Sequence, residues 1–265
     1  MYACFDKGEV KMVNIALTGC CGKMGHAIVK AVSEREDCQI VCGIDIYNDN
    51  SYSFNVYSDF SNIAENVDVI IDFSNPDSLN SMLEYINANK TPAVICTTGF
   101  SKEQVEVIKE TSKSSAIFYS GNMSLGINLL IEISKQAAKV LGDSFDIEIV
   151  EKHHNLKIDA PSGTALMIAD GISSELSQEP QYVYDRHSYR KKRSKNEIGL
   201  HAVRGGTIVG EHEVIFAGHD EVVTISHSAQ SKEVFAIGAI NAAVFLHNQT
   251  PGMYDMSALL SSKLG

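Results

Sequence analysis

Between Val13 and Gly121, short runs rich in Val, Ile, Ala and Cys alternate with amphipathic stretches. In order these are VNIALTG, HAIVKAVSERED, QIVCGID, VDVIIDF, PDSLNSMLEYINAN, PAVICTTG, SKEQVEVIKETSKS and SAIFYSG. Runs that are apolar at nearly every position, such as Val69–Asp72 and residues 93–96, suit strands covered on both faces. Burial on both faces is what a parallel sheet with helical crossovers produces. The pattern therefore predicts an α/β domain, a doubly wound parallel sheet, over residues 12–123.

Beyond Met123 the rhythm changes. Apolar spacing at Leu125, Leu129, Ile133 and Ala137 predicts a helix over residues 124–141, followed by the strand FDIEIVE and the unusual segment HHNLKIDAPSGTA. Three β-like runs, residues 200–203, 207–216 and 222–227, are joined by Gly205-Gly206 and by a turn at Gly218, which predicts an antiparallel meander. Residues 124–232 thus read as a second, α+β domain with a mixed or antiparallel sheet. The apolar stretch Glu233–Leu246 resumes amphipathic spacing and is expected to pack back on the first domain, so that residues 233–265 complete it.

With 265 residues the chain suits one large or two modest domains. It carries 22 Lys and Arg against 33 Asp and Glu, a net charge of −11, and such a field repels phosphate backbones and anionic lipid alike. Nucleic acid and membrane surfaces are therefore not expected as partners. The longest apolar run, residues 236–246, has 11 residues and contains Asn241, well short of the roughly 18 a spanning helix needs. Residues 186–195 hold 6 of the 22 basic residues with only Tyr189 as an aromatic neighbour, and read as a solvated loop. Residues 1–11 mix Asp6, Lys7, Glu9 and Lys11 before any apolar stretch, so they read as a short frayed extension and not as a secretory signal. The cysteines Cys4, Cys20, Cys21, Cys38, Cys42 and Cys96 form no CxxC pair. They suit small buried side chains in a reducing cytoplasm, and a metal site from Cys38 and Cys42 is not expected.

Candidate chemistry begins after the first predicted strand, at Gly19-Cys20-Cys21-Gly22-Lys23-Met24-Gly25. Glycines at a strand-to-helix turn let the backbone approach a pyrophosphate, whose charge then meets free amides at the positive end of a helix. The spacing is GxxGxxG, with Cys21 where the second glycine of a Rossmann-type GxGxxG would stand. Asp45 follows Gly25 by 20 residues, at the end of the second strand, where an acid accepts hydrogen bonds from ribose hydroxyls. No Lys or Arg occurs in residues 46–58, which favours NADH over NADPH, with Lys23 as the one cation able to swing toward an extra phosphate. Two further strand ends, Asp72-Phe73-Ser74 and Cys96-Thr97-Thr98-Gly99, fall on the same side. Asp72 there suits either a cofactor contact or a cap on the helix beginning near Pro76.

The densest constellation spans Glu151 to Ala165 and includes His153, His154, Lys157, Asp159, Ser162, Gly163 and Thr164. A histidine with a lysine four residues on supplies a positive, proton-donating surface. The turn Pro161-Ser162-Gly163-Thr164 then reads as the start of a helix whose free amides suit a carboxylate. With no HExxH and no further ligand at zinc spacing, no metal is expected.

These residues, together with GCCGKMG, DFS, TTG, GNMSLGIN and RGGTIVGEHEVIF, make the chain resemble the 4-hydroxy-tetrahydrodipicolinate reductase (dihydrodipicolinate reductase) family over nearly all of its length after Met12. The resemblance implies a Rossmann-type first domain and NAD(P)H-dependent reduction of a cyclic dicarboxylate, with loss of water, in diaminopimelate and lysine biosynthesis. It implies His153 as catalytic acid/base and Lys157 as proton donor, with His154, Gly163 and Thr164, beside Ser162, contacting substrate. Cofactor contacts are implied for Gly19, Cys20, Cys21, Gly22, Lys23, Met24, Asp45, Cys96, Thr97, Thr98, Ser120, Gly121, Asn122 and Met123. It further implies that residues 124–232 bind substrate and build a cytoplasmic homotetramer. Cys96 and Gly121 depart from the family's usual residues at positions expected to present backbone atoms. A dehydrogenase with a catalytic cysteine in its second half does not fit, because no Cys follows Cys96. A dinucleotide-sensing regulator would lack the proton donor and add a basic recognition helix.

Overall fold

The computed structural model describes residues 12–48, 51–188 and 190–264; the expectations for residues 1–11, Cys4 among them, and for Tyr189 lie outside the described residues. Two compact units divide the chain, one ending at Met123 and resuming at Phe235, the other Ser124–Val234.

The first unit runs β1 (Val13–Thr18), α1 (Lys23–Ser33), β2 (Cys38–Ile44), β3 (Asn55–Tyr57), β4 (Val69–Asp72), α2 (Leu79–Asn89), β5 (Ala93–Ile95), α3 (Lys102–Ser112) and β6 (Ala116–Tyr119). Each of β1, β4 and β5 is buried almost along its whole length, as strands between two helical layers must be. Helix α3 starts in a capping box: the Ser101 hydroxyl accepts from the Gln104 amide while the Gln104 side chain accepts from the Ser101 amide.

The second unit runs α4 (Leu125–Leu141), β7 (Asp146–His153), α5 (Gly163–Ser173), β8 (Gln181–Val183), β9 (Glu197–Arg204), β10 (Gly210–Ala217) and β11 (Val222–Ala229). Its mixed sheet has the order β11-β10-β7-β9-β8. The expected three-strand meander is only half present. β10 and β11 form an antiparallel hairpin, but β9 lies parallel to β7, and β7 separates it from β10. The Gly205 amide donates to the His153 carbonyl, so the chain turns over the end of β7 rather than back along β9. Spacing between runs cannot distinguish a hairpin from a turn that steps over a strand.

Two further helix expectations are corrected. On α4 the buried face carries Ile127, Leu130, Ser134 and Ala138, whereas Leu129 and Ile133, chosen from the spacing as core positions, are exposed. This helix is apolar over more than one face, and its packing against α5 and the sheet selects the buried one. The segment α6 (Glu233–Leu246) is not amphipathic: it is apolar on every face and buried on more than one, with Ile237 exposed. Gly238 lies so close to the Met123 carbonyl that a Cβ would come within 1.7 Å of it. After α6 come β12 (Gly252–Tyr254) and α7 (Met256–Leu264). β12 pairs with β6 and completes the seven-stranded sheet β12-β6-β5-β4-β1-β2-β3, parallel at every pair. The three-residue β3 and β12 have too little apolar pattern to be read from the sequence.

Candidate active site

The strand order of the parallel sheet reverses at β1, whose successive neighbours β2 and β4 lie on opposite sides. Ligands bind in such sheets beyond the carboxyl ends of the strands at this reversal. A cleft of about 580 Å³ opens there, with Gly19, Cys21, Gly22, Asp45, Tyr47 and Phe73 in its wall. Gly19 sits at φ +74°, and a Cβ on it would stand 2.3 Å from the Phe73 carbonyl oxygen; a Cβ on Gly25 would stand 2.3 Å from that of Cys20. Only glycine permits a turn this tight against the start of α1. Gly22, whose added Cβ would meet only the Gly19 oxygen at 3.3 Å, is less constrained.

Asp45 follows directly on β2. Its Oδ2 accepts from the Cys21 amide at 2.9 Å and its Oδ1 from the Tyr47 amide at 3.1 Å, which fixes the carboxylate in the cleft wall with lone pairs to spare. Cys20 is buried beneath the turn, and the Tyr52 hydroxyl donates to its carbonyl at 2.8 Å. Lys23 is exposed at the start of α1, and Met24 beside it is half-buried. Cys96, Thr97 and Thr98 follow β5, and Ser120, Gly121, Asn122 and Met123 follow β6. Both groups stand at carboxyl ends of the same parallel sheet without lining this cleft. A cavity with a glycine turn at one end and a fixed carboxylate at the other fits a dinucleotide.

Of the two readings of Asp72, the helix cap is corrected. Asn75 caps that turn, its side chain accepting from the Asp77 amide at 2.9 Å. Asp72 instead accepts from the Ser74 amide and hydroxyl, and burial pushes its pKa up.

The second constellation lies at the end of β7. The alternation Ile147, Ile149, Glu151, His153 is the inward face of this strand, apolar for two positions and then polar. Glu151 is wholly buried, and its four acceptor contacts are complete. Arg204 binds it with both terminal nitrogens at 2.7 Å, the Ser162 amide donates at 3.0 Å, and His153 Nδ1 donates at 2.6 Å. Burial would raise the Glu151 pKa, but the hydrogen bonds from Arg204, His153 and Ser162 outweigh it and hold the carboxyl below its ordinary range. The second ring nitrogen of His153 faces Gly210, where a Cβ would come within 3.2 Å.

His212, paired across the sheet with Glu151, packs edge-on against the His153 ring with centroids 5.3 Å apart. Burial, then the neighbouring His153, pushes its pKa down to about 4, so it is neutral at pH 7. Ser162 is the N-cap of α5: its hydroxyl accepts from the Ala165 amide at 3.1 Å and stands 3.2 Å from His212 Nε2. The helix expected to open at Pro161 therefore begins two residues later, at Gly163. Gly163, its first residue, has open space where a Cβ would go, and Thr164 follows it in the first turn. The Lys157 amide donates to the His154 carbonyl in a tight turn, and Lys157 Nζ pairs with Asp159 Oδ1 at 2.8 Å. The structure thus gathers His153 and Ser162 in one buried network, with His154, Lys157, Gly163 and Thr164 on the segment around it.

Comparison with known proteins settles the family. Models of the dihydrodipicolinate reductase N-terminus and C-terminus match residues 13–123 and 126–260. The chain belongs to the dihydrodipicolinate reductase family. The 4-hydroxy-tetrahydrodipicolinate reductase of Caldanaerobacter subterraneus is 53% identical over 94% of this chain and 98% of its own. That of Clostridium tetani is 48% identical over 95% and 98%. A dipicolinate-bound dihydrodipicolinate reductase from Paenisporosarcina sp. TG-14 has the same fold, with a TM-score of 0.77 at 23% identity over 92% of this chain and 97% of that one.

Glu151, Arg204 and His212 are the residues of this buried network that the sequence left without a role. Glu151 was legible as an acid on the inward phase of an otherwise apolar strand. Arg204 and His212 carried no such mark, because they reach the site only through pairing with β7.

Proposed function

We propose that the chain reduces 4-hydroxy-tetrahydrodipicolinate to tetrahydrodipicolinate with loss of water, using NADH in preference to NADPH. The family assignment carries the reaction; the buried His153–Glu151–Arg204 network beside Lys157 is the observation that supports its chemistry in this chain. The glycine turn of residues 19–25 and Asp45 would hold the dinucleotide, with the residues after β5 and β6 completing its contacts. When bound, the dinucleotide supplies hydride.

His153 and Lys157 do the proton work. Reduction of a conjugated ring leaves negative charge on the ring nitrogen, and an ammonium or imidazolium beside it both stabilises the charge and donates the proton. Glu151 fixes the His153 ring with Nδ1 protonated and leaves Nε2 as the working nitrogen. The first turn of α5, with Gly163 bare and Thr164 next to it, suits a substrate carboxylate, and His154 stands on the same segment. Asp45 and the lack of basic residues after it support NADH, since an added ribose phosphate would face a fixed carboxylate.

Residues 124–232 are assigned to substrate binding and to assembly of a homotetramer. The edge strand β11 supports this, exposing Val222 and Val223 on a row of unpaired backbone groups. A cytoplasmic location is in keeping with a biosynthetic reductase and with five described cysteines that form no disulfide.

The test is a coupled assay in which freshly made condensation product of pyruvate and aspartate semialdehyde is supplied and the oxidation of NADH and NADPH is followed separately. Substrate-dependent oxidation, faster with NADH, is expected. No oxidation by folded protein that binds either dinucleotide would sink the activity; faster oxidation of NADPH would sink the cofactor preference alone.

A further inference from the structure

We infer that Cys20, Cys21 and Asp45 form a binding site for one thiophilic divalent cation, of the class of Cd²⁺ or Zn²⁺, in the wall of the dinucleotide cleft. The competition with dinucleotide drawn from it rests on the reading of that cleft given above; the binding itself does not.

Neighbouring residues in an extended chain point their side chains to opposite sides. Here the chain turns, with the Gly22 amide donating to the Gly19 carbonyl at 3.1 Å, and the two sulfurs come to the same side, 3.9 Å apart. Two thiolates on one tetrahedral ion, each at about 2.3 Å, stand roughly 3.8 Å from one another. The metal-free geometry is already that edge. A carboxylate oxygen of Asp45 joins them, all three ligand atoms lying within 4.8 Å of one another, and no other such group occurs among the described residues.

The surroundings hold the set in place. A Cβ on Gly43 would stand 2.5 Å from Cys20 Sγ, so β2 closes the space behind that sulfur. The Cys21 amide fixes Asp45, and Cys21 Sγ donates to the Tyr47 carbonyl at 3.2 Å on the cleft side. Soft sulfur donors select zinc, cadmium and related ions, whereas a single carboxylate offers too few oxygens for magnesium or calcium. On binding, each thiol releases its proton to solvent and the ionised carboxylate completes three ligands, leaving the fourth position to water. Because each thiol must lose its proton to become a ligand, binding releases protons and tightens as pH rises.

The ion would take the carboxylate that serves the ribose. It would also leave two thiolates and a carboxylate, net −1 with the cation, where a pyrophosphate must approach. The cation and the dinucleotide are therefore mutually exclusive.

The experiment titrates Cd²⁺ into the full chain in a Cys4→Ser background and reads the ultraviolet thiolate-to-cadmium band. NADH affinity is measured separately by fluorescence, with and without the metal. One Cd²⁺ per chain is expected, weakened about 100-fold in Cys21→Ser and also weakened in Asp45→Asn, with Cys38→Ser unchanged. Saturating Cd²⁺ should abolish NADH binding, and dithiol chelator should restore it. A band of undiminished strength in Cys21→Ser, or no band at all, overturns the site. Full NADH affinity at saturating Cd²⁺ overturns the competition. Failure of the metal-free protein to bind NADH while the band persists would refute the dinucleotide reading and leave the metal site supported.

Discussion

His153 Nδ1 lies 2.6 Å from Glu151 Oε2, two residues back along the same strand. That spacing puts both side chains on the inward face of β7, so the carboxylate sits directly behind the imidazole and Arg204 and the Ser162 amide complete it. Glu151 is a positioning residue: it sets which nitrogen of His153 carries the proton.

Replacing Glu151 should therefore affect chemistry and stability together. In Glu151→Gln the buried half of the Arg204 pair is neutralised, and a loss of about 3 kcal/mol of stability is expected. The kcat should fall about 100-fold with NADH affinity unchanged. Thermal melts, steady-state kinetics and NADH fluorescence check the three parts; an unchanged melt with normal kcat would remove the network from both roles.

Lys157→Ala should keep the fold, because Lys157 is a partly exposed residue whose ion pair is with the exposed Asp159. It should retain NADH binding and lose a factor of about 10² to 10⁴ in kcat. Near-normal turnover would withdraw the proton-donor assignment.

Two glycines should respond in opposite ways. Gly19→Ala places a Cβ 2.3 Å from the Phe73 oxygen at positive φ, and should cost at least about 2 kcal/mol and abolish dinucleotide binding. Gly163→Ala meets nothing within 4 Å, so it should fold normally while raising KM for the dicarboxylate. Equal melting temperatures for the two variants would contradict the turn geometry.

Stability should decline in acid. His212 is neutral in the native state with a pKa of about 4 against 6.5 when unfolded, so the unfolded chain binds more protons between these values. Its contribution is complete above pH 6.5 and is lost as pH falls towards 4, a change of about 3 kcal/mol. Glu151 has the same sign: its depressed pKa stabilises the fold above the ordinary carboxylate range and is lost as pH falls through its lower native value. Urea unfolding at pH 7 and pH 5 should show the decline, and His212→Gln should flatten it in this window.

Local sequence determined what depends on local chemistry. Nearly continuous apolar runs marked β4 and β5 as strands covered on both sides, the glycine turn and Asp45 marked one cleft, and the segment from His153 to Thr164 marked the other candidate site and the family. Tertiary structure decided what depends on neighbours. It placed β9 beside β7 instead of β10, buried Ile127 and Leu130 of α4 in place of Leu129 and Ile133, and covered α6 on more than one face. It also brought Arg204 and His212 onto Glu151, from positions 53 and 61 residues further along the chain. A periodic pattern records that a face is apolar, but which partner covers it, and which distant charge offsets a buried carboxylate, is set by strand pairing, and pairing leaves little trace in either strand alone.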